Sequence, residues 1–395
     1  MEFADSIQET SANHDKWVEI DISAVAHNLE QVRERLQADV RLIAVLKADA
    51  YGHGAVGTAV LMERHGVDFF AVSHLAEALE LREAGIKGEI LLFLPLHQLE
   101  HIRCAAAAGL VLSIGSRQDW EALQLATYDD DPGLNLHLQV DTGLGRFGFL
   151  NHDELILVAN SIKESRHRLS GMYTHMADAA GNPGYTRQQF ERFQNTSQAV
   201  AAAGVKIPLH HCANSAVLLN YPEMQLDAVR IGTLLSGQLP VGIADTSLSL
   251  IDPFRFKSRI IALRRLASGS YLGYYRTYRL KRDAYLAVIP VGYRDGLLLE
   301  VANRPGSWLD LLKTMVRPLL QRWGWGRFQP AILWRGQRFP LRGKIFMQMA
   351  LIEFPLSSEV SIGDVVEVPV RKVLVSPELP RIYVTAAGSR TTVAE

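Results

Sequence analysis

Leu42-Ile43-Ala44-Val45-Leu46-Lys47-Ala48-Asp49-Ala50-Tyr51-Gly52-His53-Gly54 runs from an apolar strand into a turn rich in glycine, histidine and tyrosine. The lysine falls where the strand ends. Burial there disfavours the charged amine and lowers its pKa. An easily deprotonated amine is what Schiff-base chemistry with an aldehyde cofactor requires. Taken by itself, Lys47 also reads as a strand-end lysine snorkelling to solvent.

Outward from this stretch, short apolar runs alternate with amphipathic helical stretches as far as Gly237. The strand candidates are 41–47, 68–72, 90–94, 110–114, 135–140, 170–174, 207–211 and 227–230. Helical patterns at 23–36, 75–84, 119–126, 153–162 and 186–203 separate them, and Gly85 falls where a helix C-terminus needs a left-handed residue. The fold class that follows is α/β: an N-terminal (β/α)8 TIM-like barrel over residues 14–240. A doubly wound open sheet is the competing reading. Past Gln238 the helical stretches stop. Segments at 258–267, 285–291, 331–335, 344–353 and 364–370 read as strands divided by Gly, Pro and charged turns. They predict a C-terminal mostly-β domain over 241–395, with segment 1–13 packed on it. Residues 303–327 break its pattern with an amphipathic helix and a Trp-rich basic piece. They read as a surface insertion, with a membrane or partner surface as the alternative.

Composition narrows the function. The chain has 395 residues, Lys+Arg 41 against Asp+Glu 42 and a net charge of −1, so no field favours nucleic acid. No apolar run is long enough for a membrane span, and the polar, acidic N-terminus does not look like a signal peptide. Only Cys104 and Cys212 occur, which excludes a disulfide scaffold or a cysteine zinc site. His210 and His211 alternate faces of a strand, so no metal site is expected. Gly143-x-Gly145-x-x-Gly148 formally matches a dinucleotide fingerprint, but no helix opens directly from it. A cytoplasmic enzyme is the expectation.

Barrel active sites lie at the C-terminal ends of the strands. Lys47 ends the first, Gln139 stands inside the end of the fifth with Arg146 in the loop beyond, and His175 ends the sixth. Asn214 and Ser215 follow the seventh, Arg230 ends the eighth, and Gly232 and Thr233 lie just past it. The loops after strands seven and eight are where this fold commonly holds phosphate. A lysine, a phosphate site and arginines together imply pyridoxal phosphate.

With these residues in place the chain resembles the alanine racemase family over nearly its whole length. The matches are 44–54, Asp141-Thr142-Gly143 with Arg146, Thr174-His175, Asn214-Ser215-Ala216, Val229-Arg230-Ile231-Gly232, Gly273-Tyr274 with Thr277-Tyr278, and Gly292-Tyr293-Arg294-Asp295-Gly296. The resemblance implies a two-base racemisation of a free amino acid, alanine first. Lys47 would carry the cofactor and act as one base, and Tyr274 from the other subunit of a head-to-tail homodimer would be the opposite base. Tyr51, Ser215, Gly232 and Thr233 would bind phosphate, with Asn214 beside them. His175 would flank the pyridine ring, and Arg146, Gln139 and the Met347 backbone would serve the substrate. Arg230 would meet the pyridine nitrogen, where a fixed cation disfavours protonation; related barrel decarboxylases place an acid there.

Three departures leave a different amino acid open, such as serine or a basic one. Gln139 stands where many members carry a lysine, Gln348 where an aspartate is usual, and a phosphate-binding tyrosine near the C-terminus has no counterpart. Arg371 is the candidate replacement for that tyrosine. Arg146 is expected to be oriented by Gln139 or a bound anion. A non-catalytic carrier of the cofactor is the reading from another class, and the retained β domain and Tyr274 argue against it.

Overall fold

The computed structural model describes residues 13–127, 133–243, 247–299 and 330–385, with Leu312 and Val316, both helical, between the last two. The remainder of the 303–327 segment lies outside the described residues. The chain divides into two compact units, one holding Asp21–Pro253 and the other Phe254–Val384 together with the residues up to Ile20.

The first unit is a barrel of eight parallel strands: β2 (Arg41–Val45), β3 (Phe69–Val72), β4 (Glu89–Leu92), β5 (Val111–Ile114), β6 (Asn135–Gln139), β7 (Arg168–Tyr173), β8 (His210–His211) and β9 (Ala228–Ile231). β2 pairs with both β3 and β9. The circle closes where Arg230 N–H donates to Ala213 O (2.8 Å) and Asp227 N–H to His210 O (3.1 Å). Helices α1 (Ile22–Arg33), α2 (Ala55–Arg64), α3 (Leu75–Glu83), α4 (Leu99–Ala107), α5 (Arg117–Ala126), α6 (His152–Glu164), α7 (Pro183–Ala202) and α8 (Ser215–Asn220) alternate with them. Strands covered on the outside and packed within are apolar on both faces, as in the uniformly buried β3 and β5. Ile43, Val45, Phe69, Ala71, Leu91, Val111, Tyr173 and Ala228 form a core cluster, with Tyr51 and Phe93 packed against it. Gly85 takes φ +83° just beyond α3, a conformation strained for any residue with a Cβ.

The second unit is built on a nine-stranded sheet in the order β11-β14-β17-β16-β15-β18-β10-β1-β19, with a two-stranded ribbon beside it in sequence. The strands are β1 (Lys16–Asp21), β10 (Phe254–Arg259), β11 (Ala262–Leu266), β12 (Tyr271–Leu272), β13 (Tyr278–Arg279), β14 (Ala284–Ile289), β15 (Ala331–Trp334), β16 (Gln337–Arg342), β17 (Ala350–Pro355), β18 (Val365–Glu367) and β19 (Arg381–Val384). β12 and β13 form the ribbon. β1 comes from upstream of the barrel sequence and pairs antiparallel with β10 from Lys16↔Ser258 to Ile20↔Phe254. Strict alternation of buried and half-buried residues in β10 marks a sheet with one apolar face. The single strand read at 258–267 is in fact two, and 344–353 is a strand only from Ala350. β16 escaped the sequence reading because Pro340 and its arginines mask the alternation of buried Phe339 and Leu341.

Candidate active site

The C-terminal ends of the barrel strands surround a cavity of about 410 Å³. Lys47 and Tyr51 reach it after β2, Ser73 after β3 and Phe93 after β4. Gln139 and Tyr173 come from the last positions of β6 and β7, and His175 lies beyond β7. Asn214 and Ser215 follow β8, Arg230 belongs to β9, and Gly232 and Thr233 follow it. Ten of the twelve residues to which the resemblance gives a role thus meet in one cavity. The other two, Tyr274 and Met347, belong to the second unit and are 64% and 56% exposed. Tyr274 packs edge-on against Phe346 with ring centroids 5.1 Å apart. Arg371, also exposed, donates its backbone N–H to Gly296 O (3.1 Å).

Lys47 opens an unusual piece of backbone. Ala48, Asp49, Ala50 and Tyr51 all take left-handed angles, with φ of 53°, 55°, 50° and 59°. Each costs a residue with a Cβ roughly 1–2 kcal/mol, so the surrounding contacts must hold the turn. Ala50 N–H donates to Leu46 O (2.8 Å), and the Asp49 carboxylate accepts from Ala55 N–H (2.7 Å) at the start of α2. Burial pushes the Lys47 amine below its usual pKa, the Arg146 charge adds to this, and Glu77 opposes it. The amine is therefore more easily freed of its proton than a surface lysine's.

Arg230 is buried, and its hydrogen bonds fix it completely in the barrel wall. Nη1 donates to His211 Nδ1 (2.8 Å) and His211 O (3.0 Å), and Nη2 to Thr174 O (2.7 Å), Cys212 O (3.4 Å) and His175 Nδ1 (3.4 Å). Among the described residues Nε–H has no acceptor, and it is the donor left for the cavity. Burial lowers the guanidinium to about 10, which keeps it cationic at neutral pH. Because His211 Nδ1 accepts from Arg230, its Nε2 carries the hydrogen and donates to His137 Nδ1 (3.0 Å). Burial, reinforced by the Arg230 charge, lowers His137 to about 3 and drives His211 well below its ordinary value. The same two causes lower His175 to about 3. All three imidazoles are neutral at pH 7. Tyr173 stacks on His211 with centroids 4.9 Å apart, lies under the Arg230 guanidinium and hydrogen-bonds Ser113 Oγ (2.8 Å).

The loop carrying Arg146 is tied down at its base. The Asp141 carboxylate accepts from the backbone N–H of Gly143, Leu144 and Gly145, each at 2.8 Å. From α7, Tyr185 Oη donates to Gly143 O (2.6 Å), Arg192 Nη1 to Thr142 O (3.0 Å), and Gln189 Nε2 to Thr142 Oγ1 (3.2 Å). Arg146 itself is exposed at the cavity, with its Cζ 5.8 Å from the Phe147 ring centroid. Gln139 is buried in the same cavity wall, but among the described residues no hydrogen bond joins it to Arg146.

This set suits a flat aromatic aldehyde that carries a phosphate. Tyr51, Ser215 and Thr233 bring hydroxyls to the cavity that Gly232 also lines, and Thr233 hydrogen-bonds Tyr51. A Cβ on Gly232 would collide with the Tyr51 hydroxyl and ring, so the position has room for backbone alone. Asn214 Oδ1 accepts from Ala216 N–H (3.0 Å) and Val217 N–H (3.1 Å), which sets the backbone that presents Ser215. Sequence reading passed over Tyr173, Ser73 and His137, and weighed His211 only as a metal ligand. A signal for one of them existed. Asn135, His137 and Gln139 share a face of β6, so His137 points inward with the Gln139 already singled out. The space for it is left by Gly171, where a Cβ would lie 2.6 Å from His137 Cε1.

Comparison with known proteins gives a consistent result. The family profile "Alanine racemase, N-terminal domain" matches residues 20–240, and "Alanine racemase, C-terminal domain" matches 254–373. "Alanine racemase 1" of Oceanobacillus iheyensis is 34% identical over 299 residues, covering 75% of this chain and 79% of that one. "Alanine racemase 1" of Caldanaerobacter subterraneus subsp. tengcongensis is 33% identical over 354 residues, covering 88% and 83%. Among solved structures, alanine racemase of Clostridium difficile 630 superposes with a TM-score of 0.82 at 26% identity, covering 96% of this chain and 98% of that one.

Proposed function

The chain belongs to the alanine racemase family, and we propose that it interconverts the L and D forms of alanine with pyridoxal phosphate as cofactor. The observation that carries this is the pairing of Lys47, an amine with a lowered pKa, and Arg230, a fixed cation, on the wall of one cavity. The bound cofactor supplies the aldehyde with which Lys47 condenses and an aromatic ring that draws electron density from the substrate Cα–H bond.

The residues of the chain do the rest. Lys47 Nζ takes a proton from, or returns one to, the substrate Cα on one face. The hydroxyl of Tyr274, contributed by a second subunit, does the same on the opposite face. Two bases on opposite faces are the simplest arrangement that inverts configuration. Arg230 would offer its Nε–H to the pyridine nitrogen, and its fixed charge would disfavour protonation there. That limits electron withdrawal to what a reversible proton exchange needs. Tyr51, Ser215, Gly232 and Thr233 anchor the phosphate, with Asn214 shaping the loop. His175, neutral at pH 7, flanks the ring, while Arg146 and the Met347 backbone receive the substrate carboxylate. The exposure of Tyr274 suits a residue that is completed by a partner chain in a head-to-tail homodimer.

The test is incubation of the purified protein and pyridoxal phosphate with single-enantiomer amino acids in deuterium oxide. Exchange at Cα with inversion of alanine is expected. Preferential inversion of serine or a basic amino acid would move the substrate assignment, exchange without inversion would leave one working base, and carbon dioxide release would mean decarboxylation. Lys47→Ala should abolish the visible absorbance of the lysine–cofactor linkage; persistence of that band would overturn the reading.

A further inference from the structure

We propose that Glu77, on α3, is a positioning residue for Lys47: its carboxylate holds the first amide of the left-handed turn and so aims the lysine into the cavity. This rests on the reading of Lys47 above. One carboxylate oxygen accepts from Ala48 N–H at 2.6 Å, and the other from Ser73 N–H and His74 N–H, each at 2.9 Å. The bonds to Ser73 and His74 are what any acidic residue in the first turn of a helix makes. The bond to Ala48 is not explained in that way. It crosses from α3 to the turn after β2 and lands on the peptide that joins Lys47 to Ala48.

That peptide matters because four consecutive residues beyond it sit in a strained conformation. Strained backbone persists only where neighbours over-determine it. The later part of the turn has its own ties, Ala50 N–H to Leu46 O and Gly54 N–H to Asp49 O. The amide of Ala48 has Glu77. Releasing it frees the Lys47 backbone and with it the direction of the side chain. Glu77 also brings a negative charge near Lys47, where the other charges felt by the amine are the cations Arg146 and Arg230. It therefore opposes the lowering of the amine's pKa, so that the amine can hold a proton as well as release it, as an exchanging base must.

The variant Glu77→Gln removes the charge and leaves one oxygen for three amides. The first readout is independent of turnover: acetic anhydride labelling of Lys47 in the cofactor-free protein, followed by mass spectrometry between about pH 6 and 10. The labelling midpoint should move to lower pH in E77Q by about half a unit or more. In the cofactor-loaded enzyme kcat should fall about ten- to a hundred-fold while KM changes less than about threefold. A labelling profile that superimposes on the unaltered protein's overturns the proposal. A shifted profile in a protein that racemises nothing supports the role of Glu77 and sinks the activity instead. If E77Q does not fold, hydrogen exchange of the Ala48 amide in the unaltered protein decides. Helix-like protection supports the bond, and exchange at the rate of an open loop overturns it.

Discussion

Arg230 and Gly232 stand two positions apart and serve the cavity in opposite ways, one by what it fills and the other by what it leaves empty. Removing the Arg230 guanidinium strands His211 Nδ1 and the Thr174 carbonyl in a buried wall, while the His211 carbonyl keeps the Thr174 N–H (3.3 Å). Arg230→Met should therefore cost about 3–5 kcal/mol of stability, measured by urea unfolding of the cofactor-free protein. A loss below about 1 kcal/mol would mean that water takes over those acceptors. Gly232→Ala tests the empty space. The added Cβ meets the Tyr51 hydroxyl and ring, so pyridoxal phosphate affinity should fall about tenfold or more while the unfolding midpoint of the cofactor-free protein moves little. Equal affinity by absorbance titration would show that Tyr51 can retreat. Both residues stood out in the sequence because a cation and a glycine at the end of an apolar strand have few structural reasons to be there. Tyr173 did not, since an aromatic in such a strand reads as core. Its place in the cavity wall, its stacking on His211 and its contact with Arg230 separate it from the other buried rings.

At the scale of elements, the barrel strands were readable because burial on both faces makes them short, continuous apolar runs, and the observed limits differ from the expected ones by a few residues. Helix α2 was missed because it is apolar almost all round and lacks a polar face to set its period; six of its ten residues are buried. The left-handed turn after Lys47 was not foreseeable either, since Ala48, Asp49, Ala50 and Tyr51 include no glycine to announce it. What the strands carry inside has a consequence for acid stability. His137 and His175 fall from 6.5 to about 3 on folding, and His211 also drops well below its ordinary value. Below pH 6.5 the unfolded chain takes up protons that the folded barrel refuses. Stability is thus fully present above 6.5 and lost as pH falls towards 3. The three histidines share Arg230 as neighbour and titrate as a group. In His137→Gln the slope of unfolding free energy against pH between about 4 and 6 should drop by close to one proton, about 1.4 kcal/mol per pH unit. An unchanged slope in urea melts would mean that His137 does not contribute.

For the whole molecule, the change from strand–helix alternation to strands alone near Gln238 announced a second unit, but β1 could not be assigned from sequence. Trp17, Val18 and Ile20 are buried in a pattern that a first barrel strand would also show, and only the pairing with β10 decides. The two proposed bases lie in different units, Lys47 in the barrel and the exposed Tyr274 in the second. A shared-site dimer makes a quantitative demand on them. Lys47→Ala and Tyr274→Phe are each expected to be nearly inactive as homodimers. When the two are mixed and allowed to exchange subunits, half of the dimers are hybrids. In a hybrid, one site combines the lysine of the Tyr274→Phe chain with the tyrosine of the Lys47→Ala chain and is intact; the other site carries both defects. The mixture should regain about a quarter of the unaltered activity per subunit. If each chain builds its site alone, no pairing restores it, and an inactive mixture whose subunit exchange is verified by mass spectrometry would place both bases in one chain.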